Sequence, residues 1–346
     1  MKRIVLCIFI FSLFPLLNYG QTPTLPFYLS LDNHSIATID QKGNVENILE
    51  EPNLSCIIEV FDHSIYYLSN DDTDKKFWRY DLNTHTHTLL LDKPYSYYSN
   101  KDENYIYFSS QHPDTNKVTC YAFKKDSNQI AKQTVLNIPA AQLSNAVINV
   151  TYVDGNCFYY TTMSNTYPFQ YTTYCMKDNK TSEKIADGLI RILHKNKDTF
   201  FYKLIPSLLS PVGLYKSDLN FPKPICIAED IASVRIQNQT LYYLESAVSE
   251  RTLYSMPLDQ ITPQKVITGL IHPYFVPTND KVYYLDTTRC DNRIYDIMAP
   301  SDQYVYPNTG NYTLTGDLYE YDLKTKKSTL LLKEPINALY KVPLLP

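Results

Sequence analysis

One element recurs along almost the whole chain: an apolar residue followed by aromatics. It stands at Ile65-Tyr66-Tyr67, Ile106-Tyr107-Phe108, Phe158-Tyr159-Tyr160, Phe200-Phe201-Tyr202, Leu241-Tyr242-Tyr243 and Val282-Tyr283-Tyr284, with a weaker copy at Phe27-Tyr28-Leu29. Successive copies are 38, 41, 52, 42, 41 and 41 residues apart. A second self-match is closer still. Tyr80 to Pro94 reads YDLNTHTHTLLLDKP and Tyr321 to Pro335 reads YDLKTKKSTLLLKEP, identical at nine of fifteen positions although 241 residues apart. A fixed period of this size marks a repeat architecture, in which each unit buries its apolar face against the next. With 346 residues to place, such a series replaces one oversized core.

Each unit reads as short strands. Aromatic and β-branched runs alternate with turns rich in Asn, Asp, Ser and Pro. The clearest unit divides into Cys56–Phe61, Ser64–Asn70, Lys76–Asp81 and Thr86–Leu91, the last two joined through Asp81-Leu82-Asn83-Thr84. Asp and Asn suit that turn because their side chains bond the backbone just ahead and tolerate left-handed geometry. Hairpins built this way need few of the eight glycines in the chain. Four antiparallel strands repeated seven times predict an all-β fold, a seven-bladed β-propeller of four-stranded antiparallel blades. The first unit supplies only three strands, at about 25–31, 34–39 and 45–50. The chain ends on an unpaired apolar segment, Ala338–Val342. Placing that segment as the missing inner strand closes the ring and covers two otherwise open sheet edges.

The IYYLSN…FWRYDLNT…TLLL pattern resembles the TolB-like and WD40-like propeller repeats of exported proteins, and Val282-Tyr283-Tyr284-Leu285-Asp286 is faintly similar to the YWTD repeat of receptor ectodomains. The Ser-Pro-Asp-Gly turn usual in TolB-like repeats is missing. The resemblance implies the fold and carries over no functional residue. It also implies that the loops joining second to third strands share one face with the links between blades, and that this face surrounds the channel mouth.

The first twenty residues have a different character. Met1-Lys2-Arg3 leads into an apolar run from Ile4 to Leu17, too short for a bilayer span of about 20 residues and patterned like a signal peptide. Cleavage after Gly20 would leave residues 21–346 as a single propeller domain. That predicts secretion, or a periplasmic location in a host with two membranes, and no transmembrane segment in the mature chain. The mature chain would carry 30 basic against 36 acidic residues, a balance that argues against nucleic acid as partner. No GxGxxG, P-loop, GxSxG, HExxH or CxxC arrangement occurs, so motif-bearing enzyme classes are excluded.

The loop face therefore holds the candidate site residues. The second blade offers Asp71, Asp72 and Asp74, the third His112 and Asp114. The seventh carries an insertion at about 287–316 with Arg289, Asp291, Arg293, Tyr304 and Tyr306, the mixture of charge and tyrosine found at interaction hot spots. Asp71, Asp72 and Asp74 have the hard oxygens calcium requires but lack the glycine and distal Glu of an EF-hand loop, so no cofactor is assigned. His85 and His87 alternate onto one strand face, where an exposed edge competes with a metal ligand pair. Cys157 and Cys175 fall on adjacent strands of the fourth blade, and a hairpin centred on residue 166 would bring them opposite each other as a disulfide. The recurrent tyrosine pairs are read as packing between blades, with successive rings facing opposite sides of a strand.

Three readings remain open, the third of them a purely structural propeller inside a larger envelope complex, which would show a broad apolar patch on one flank. The first is an exported binding protein that presents its loops on one face to a protein or glycan partner. The second is a propeller hydrolase, glycosidase- or lactonase-like, with Asp71, Asp72, Asp114 and Asp291 as the first acids to consider at the channel mouth. Glycoside cleavage needs two carboxylates about 5–9.5 Å apart, a condition that acids on different blades can meet without leaving a local motif.

Overall fold

The computed structural model describes residues 27–30, 35–40, 42–71, 74–92, 96–101, 104–111, 117–125, 127, 130–139, 147–154, 156–164, 170–196, 199–207, 210–218, 223–246, 250–287, 316–336 and 338–341. The signal-like segment 1–20 lies outside them. Every regular element among the described residues is a β-strand, and the strands fall into seven four-stranded antiparallel sheets.

Sheet 1 contains β1 (Phe27–Ser30), β2 (Ser35–Ile39), β3 (Val45–Glu50) and, from the far end of the chain, β28 (Ala338–Lys341). Sheet 2 runs β4 (Leu54–Phe61), β5 (Ser64–Asp71), β6 (Asp74–Asp81), β7 (Thr86–Asp92). Sheet 3 runs β8 (Ser96–Lys101), β9 (Tyr105–Gln111), β10 (Lys117–Lys124), β11 (Ile130–Asn137). Sheet 4 runs β12 (Val147–Asp154), β13 (Cys157–Met163), β14 (Tyr171–Lys177), β15 (Thr181–Asp187). Sheet 5 runs β16 (Leu189–Asn196), β17 (Thr199–Ile205), β18 (Gly213–Asp218), β19 (Ile225–Ala228). Sheet 6 runs β20 (Ile231–Gln237), β21 (Thr240–Glu245), β22 (Arg251–Pro257), β23 (Gln264–Gly269). Sheet 7 runs β24 (Ile271–Pro277), β25 (Lys281–Asp286), β26 (Gly316–Asp322), β27 (Ser328–Ile336). Consecutive strands are neighbours in every sheet, and β28 pairs with β1 from Phe27↔Lys341 to Ser30↔Ala338. The chain is an all-β propeller of four-stranded antiparallel blades.

The aromatic pairs build the walls between sheets. Because successive strand residues point to opposite faces, each pair is divided between the two neighbours of its sheet. Tyr66 packs in the apolar cluster between sheets 2 and 3, and Tyr67 in the one between sheets 1 and 2. Tyr159 and Tyr160 divide in the same way, as do Phe201 and Tyr202, Tyr242 and Tyr243, and Tyr283 and Tyr284. The last of these walls joins Val276, Tyr283 and Leu285 of sheet 7 to Ile39 of sheet 1. On four sheets the second aromatic also stacks on a tyrosine directly across the ladder: Tyr160 on Tyr174, Tyr202 on Tyr215, Tyr243 on Tyr254 and Tyr284 on Tyr319. Burial raises the Tyr160 and Tyr243 phenols to about 12, so both stay neutral.

The outer turns follow from the sequence. Asp81 Oδ1 accepts from the backbone N–H groups of Asn83 and Thr84, both at 3.0 Å. Asp322, at the equivalent place in the second YDL segment, accepts from Lys324 at 2.9 Å and Thr325 at 2.6 Å. Left-handed backbone is adopted by His85, Asp178, Asn179, Asn238, Gln239 and Lys326, all without glycine. Gly188 is different. Alone between β15 and β16 at φ +124°, it would set a Cβ 2.6 Å from Leu204 Cδ1, so the link between sheets 4 and 5 admits no side chain.

Candidate functional site

The first strands of the sheets neighbour one another around the axis. β12 packs against β8 and β16, β24 against β20 and β28, and β28 against β4. These strands repeat in register but not in chemistry. Opposite the first aromatic of each pair stand Glu59, Asn100, Tyr152, His194, Arg235 and Val276, in sheets 2 to 7. Among their described side chains are four Lys or Arg residues (Lys101, Arg191, Lys195 and Arg235) and two acids, Glu59 and Asp154.

The cluster around Glu59 is the most developed part of this lining. Lys125 Nζ lies 2.8 Å from Glu59 Oε2, and Lys101 Nζ lies 3.3 Å from the same oxygen. Lys101 also donates to the Ile58 carbonyl at 2.6 Å. Lys125 follows β10 and is buried, and its carbonyl accepts from the Tyr66 hydroxyl. Burial works against ionisation of Glu59, but the two lysines outweigh it and hold the carboxyl at about 2. Burial also lowers the pKa of Lys101, and among the charges acting on it is Arg235, which comes from sheet 6 rather than from sheets 2 or 3. Arg235 Nη1 donates to the Val234 carbonyl at 2.9 Å, and its guanidinium lies 6.0 Å from the Phe275 ring centre. A second ion pair, Lys195 Nζ to Asp154 Oδ2 at 2.5 Å, links sheets 4 and 5.

At the opposite end of the first strands, His272 is 4% exposed beside Arg251. Burial and the Arg251 charge push its imidazole down to about 3, so the ring is neutral. Its Nδ1 accepts from the Tyr274 backbone N–H at 3.2 Å, which leaves the proton on Nε2. Arg251 donates from Nη1 to the Ile271 carbonyl at 2.9 Å. From this end the longest connection leaves, residues 287–315 between β25 and β26. Its roots are fixed. Asp286 pairs with Asp317, and Thr287 donates to the Leu270 carbonyl from its backbone N–H at 2.9 Å and its hydroxyl at 3.0 Å.

The sequence-predicted residues fare unevenly. Asp71 pairs with Asp74, so strands β5 and β6 run further than expected and only Asp72 and Thr73 remain for the turn. Asp72, His112, Asp114, Arg289, Asp291, Arg293, Tyr304 and Tyr306 lie outside the described residues, as do the side chains of Asp71 and Asp74. The cysteine pairing is corrected. Cys157 stands opposite Lys177 and Cys175 opposite Tyr159, a hairpin centred one residue later than expected, so the two cysteines are diagonal neighbours and both are free thiols. His85 and His87 both lie against the Tyr80 ring, with centroids 6.2 and 4.8 Å away. His85 is in the turn at φ +54°, with Nδ1 2.9 Å from the Tyr80 hydroxyl, whereas His87 Nδ1 lies 2.7 Å from the Tyr67 hydroxyl. Among the described residues no three His, Cys, Asp or Glu side chains gather as a metal site. The charged first strands went unnoticed in the sequence. The available signal was a charge inside an otherwise apolar first strand, as in Ile57-Ile58-Glu59-Val60 or Ser233-Val234-Arg235-Ile236.

No protein-family model and no curated protein matches the chain. Solved structures do. The propeller domain of the Trilobed protease from Pyrococcus furiosus is 12% identical with a TM-score of 0.52, over 90% of this chain and 88% of that one. Pyrococcus horikoshii acylaminoacyl peptidase is 12% identical with a TM-score of 0.53, over 86% of this chain and 48% of the peptidase. This chain thus spans about half the length of the peptidase. TolB from Acinetobacter baumannii is 14% identical with a TM-score of 0.44, over 69% of this chain and 62% of TolB. At such identities the likeness is one of fold alone. The P. furiosus domain is described as having an open velcro topology; in this chain β28 pairs with β1.

Proposed function

We propose that this chain is an exported binding protein, that its seven sheets are the blades of one ring closed by β28, and that it offers a protein or glycan partner the end of the ring from which residues 287–315 leave. The observation that carries the reading is the contrast between the two ends. At one end first and second strands are joined by minimal turns, such as 62–63, 155–156 and 238–239. At the other lie the longer connections 164–170, 206–212 and 287–315. Long connections held by a rigid scaffold are where binding residues concentrate. The anchored roots at Asp286, Thr287 and Gly316 launch the longest of them from a fixed base rather than from a fraying strand end. Its Arg289, Asp291, Arg293, Tyr304 and Tyr306 supply the chemistry of a contact surface.

The experiment is affinity capture from extracellular or envelope material of the source, comparing the protein with a variant in which 288–315 is replaced by a short turn and melting is unchanged. A macromolecule retained by the first and lost by the second supports the reading. Equal capture by both removes the insertion from the interface. If neither captures anything and a hydrolase panel shows turnover, the enzyme reading replaces this one.

A further inference from the structure

We infer that the pocket between sheets 3 and 4, at the end of the sheets opposite the 287–315 connection, is a binding site for a single sugar ring. This site is separate from the loop end and does not depend on the reading given for it.

The pocket has a volume of about 260 Å³. It is lined by Thr134 of β11, Asn156 in the turn between β12 and β13, Phe158 of β13, and Asp178 and Asn179 in the turn between β14 and β15. Its walls are tied together. Asn179 Oδ1 accepts from the Asn137 backbone N–H at 3.1 Å and its Nδ2 donates to the Val135 carbonyl at 2.9 Å, which joins sheet 4 to the outer strand of sheet 3. The Asp178 backbone N–H donates to the Asn156 carbonyl at 3.0 Å, which joins the two turns. Asp178 and Asn179 hold left-handed backbone at φ 53° and 55°, a conformation that their short polar side chains tolerate. With Asn179 taken up by this frame, three polar side chains are left over. Among the described residues the Thr134 hydroxyl, the Asn156 carboxamide and the Asp178 carboxylate make no hydrogen bond or ion pair within the chain.

The chemistry of these groups selects the ligand. A carboxylate that only accepts, a carboxamide that donates and accepts, and a hydroxyl that does both match vicinal sugar hydroxyls, each of which donates to one group while accepting from another. Phe158, 3% exposed, gives the pocket an apolar floor for the carbon face of the ring. The charge on Asp178 works against a phosphate or carboxylate ligand. The volume equals that of about nine waters at about 30 Å³ each, which admits one hexose ring and leaves further sugars outside.

The test uses the full chain and four probes, glucose, galactose, mannose and N-acetylglucosamine, each titrated by ligand-observed NMR with glycerol as the control polyol. At least one sugar is expected to bind with a Kd of about 1 mM. Asp178→Asn, which suits the same left-handed turn but removes the charge, should weaken it about tenfold, and Thr134→Val about threefold. Asp218→Asn, on an exposed acid at the end of β18 in sheet 5, should leave it unchanged. The variant lacking 288–315 should bind the sugar like the parent, so failure here and failure of the loop-end reading are told apart. The inference is overturned if no sugar binds more tightly than glycerol, if Asp178→Asn and Thr134→Val both bind like the parent, or if Asp218→Asn or the loop variant weakens binding as much as Asp178→Asn. Should Asp178→Asn fail to fold, Thr134→Val and the glycerol comparison decide the matter.

Discussion

The walls between the sheets and the edge of the sheets along the axis are made by the same strands but obey different rules. In the walls one solution is repeated: an aromatic pair split between two neighbouring clusters, as with Tyr66 and Tyr67 or Tyr242 and Tyr243. Along the axis the residue facing the first aromatic changes from Glu59 to Tyr152 to His194 to Arg235 to Val276. Packing a ring of similar blades requires every wall to have nearly the same thickness, so the wall positions are constrained together. The axial positions carry no such shared constraint. A repeat protein therefore has its fold in what recurs, and its specificity in the places where recurrence breaks down.

The largest expected effect tests the wall. Phe200 is fully buried in the cluster between sheets 4 and 5, in contact distance of the Tyr152 and Tyr159 rings. Phe200→Ala should cost about 3–5 kcal/mol in chemical denaturation, from lost transfer energy plus a cavity. Arg235→Gln, on the axis, should stay well below that. Equal losses would break the comparison, because the axial residue would then be part of the packing as well.

The next effect sharpens it from the axial side. Glu59→Gln leaves two lysine head groups without the carboxylate they share, and removing one partner of a largely buried ionic cluster costs about 3 kcal/mol. The pH dependence has a definite sign. Glu59 titrates at about 2 in the folded protein against 4.5 as its ordinary value. The unfolded chain thus binds more protons between those values, and stability from this group is complete above pH 4.5 and lost as pH falls toward 2. Thermal melting followed between pH 6 and 2 should show a shallower decline for Glu59→Gln than for the parent. Identical declines would mean that the carboxylate does not feel the lysines.

Much of the fold was legible because it was written several times. Seven copies of the aromatic element, the two YDL segments and the unpaired segment near Ala338 predicted four-stranded units and the β28–β1 pairing, which the structure contains. The axial cluster was not legible, for a physical reason. Glu59 and Lys125 are 66 residues apart, and Glu59 and Lys101 stand on sheets 2 and 3, so only the packing of neighbouring sheets brings them together. The cysteine pairing failed at a finer scale. Shifting the hairpin centre by one residue moves each partner by two, enough to turn the opposed pair Cys157 and Cys175 into diagonal neighbours. Of the loop-face residues, Asp71 and Asp74 have a described backbone but no described side chain, and the others lie outside the described residues.

The smallest expected effect concerns a repeated feature that is not part of a wall. The Asp81 carboxylate replaces a glycine turn by accepting two backbone N–H groups, and those bonds hold its pKa below the usual carboxylate range. Asp81→Ala should cost about 1 kcal/mol, the net worth of a few partly solvated hydrogen bonds. Asp81→Asn, which keeps an acceptor oxygen, should recover most of that loss, and the two variants are best compared by urea denaturation side by side. If Asp81→Ala costs nothing, the left-handed residue His85 alone sets the turn and the recurrence of Asp at 81 and 322 carries no stability. If it costs as much as Phe200→Ala, turn and wall are coupled, and the division between shared packing and local chemistry has to be redrawn at the outer edge of the blades as well as at the axis.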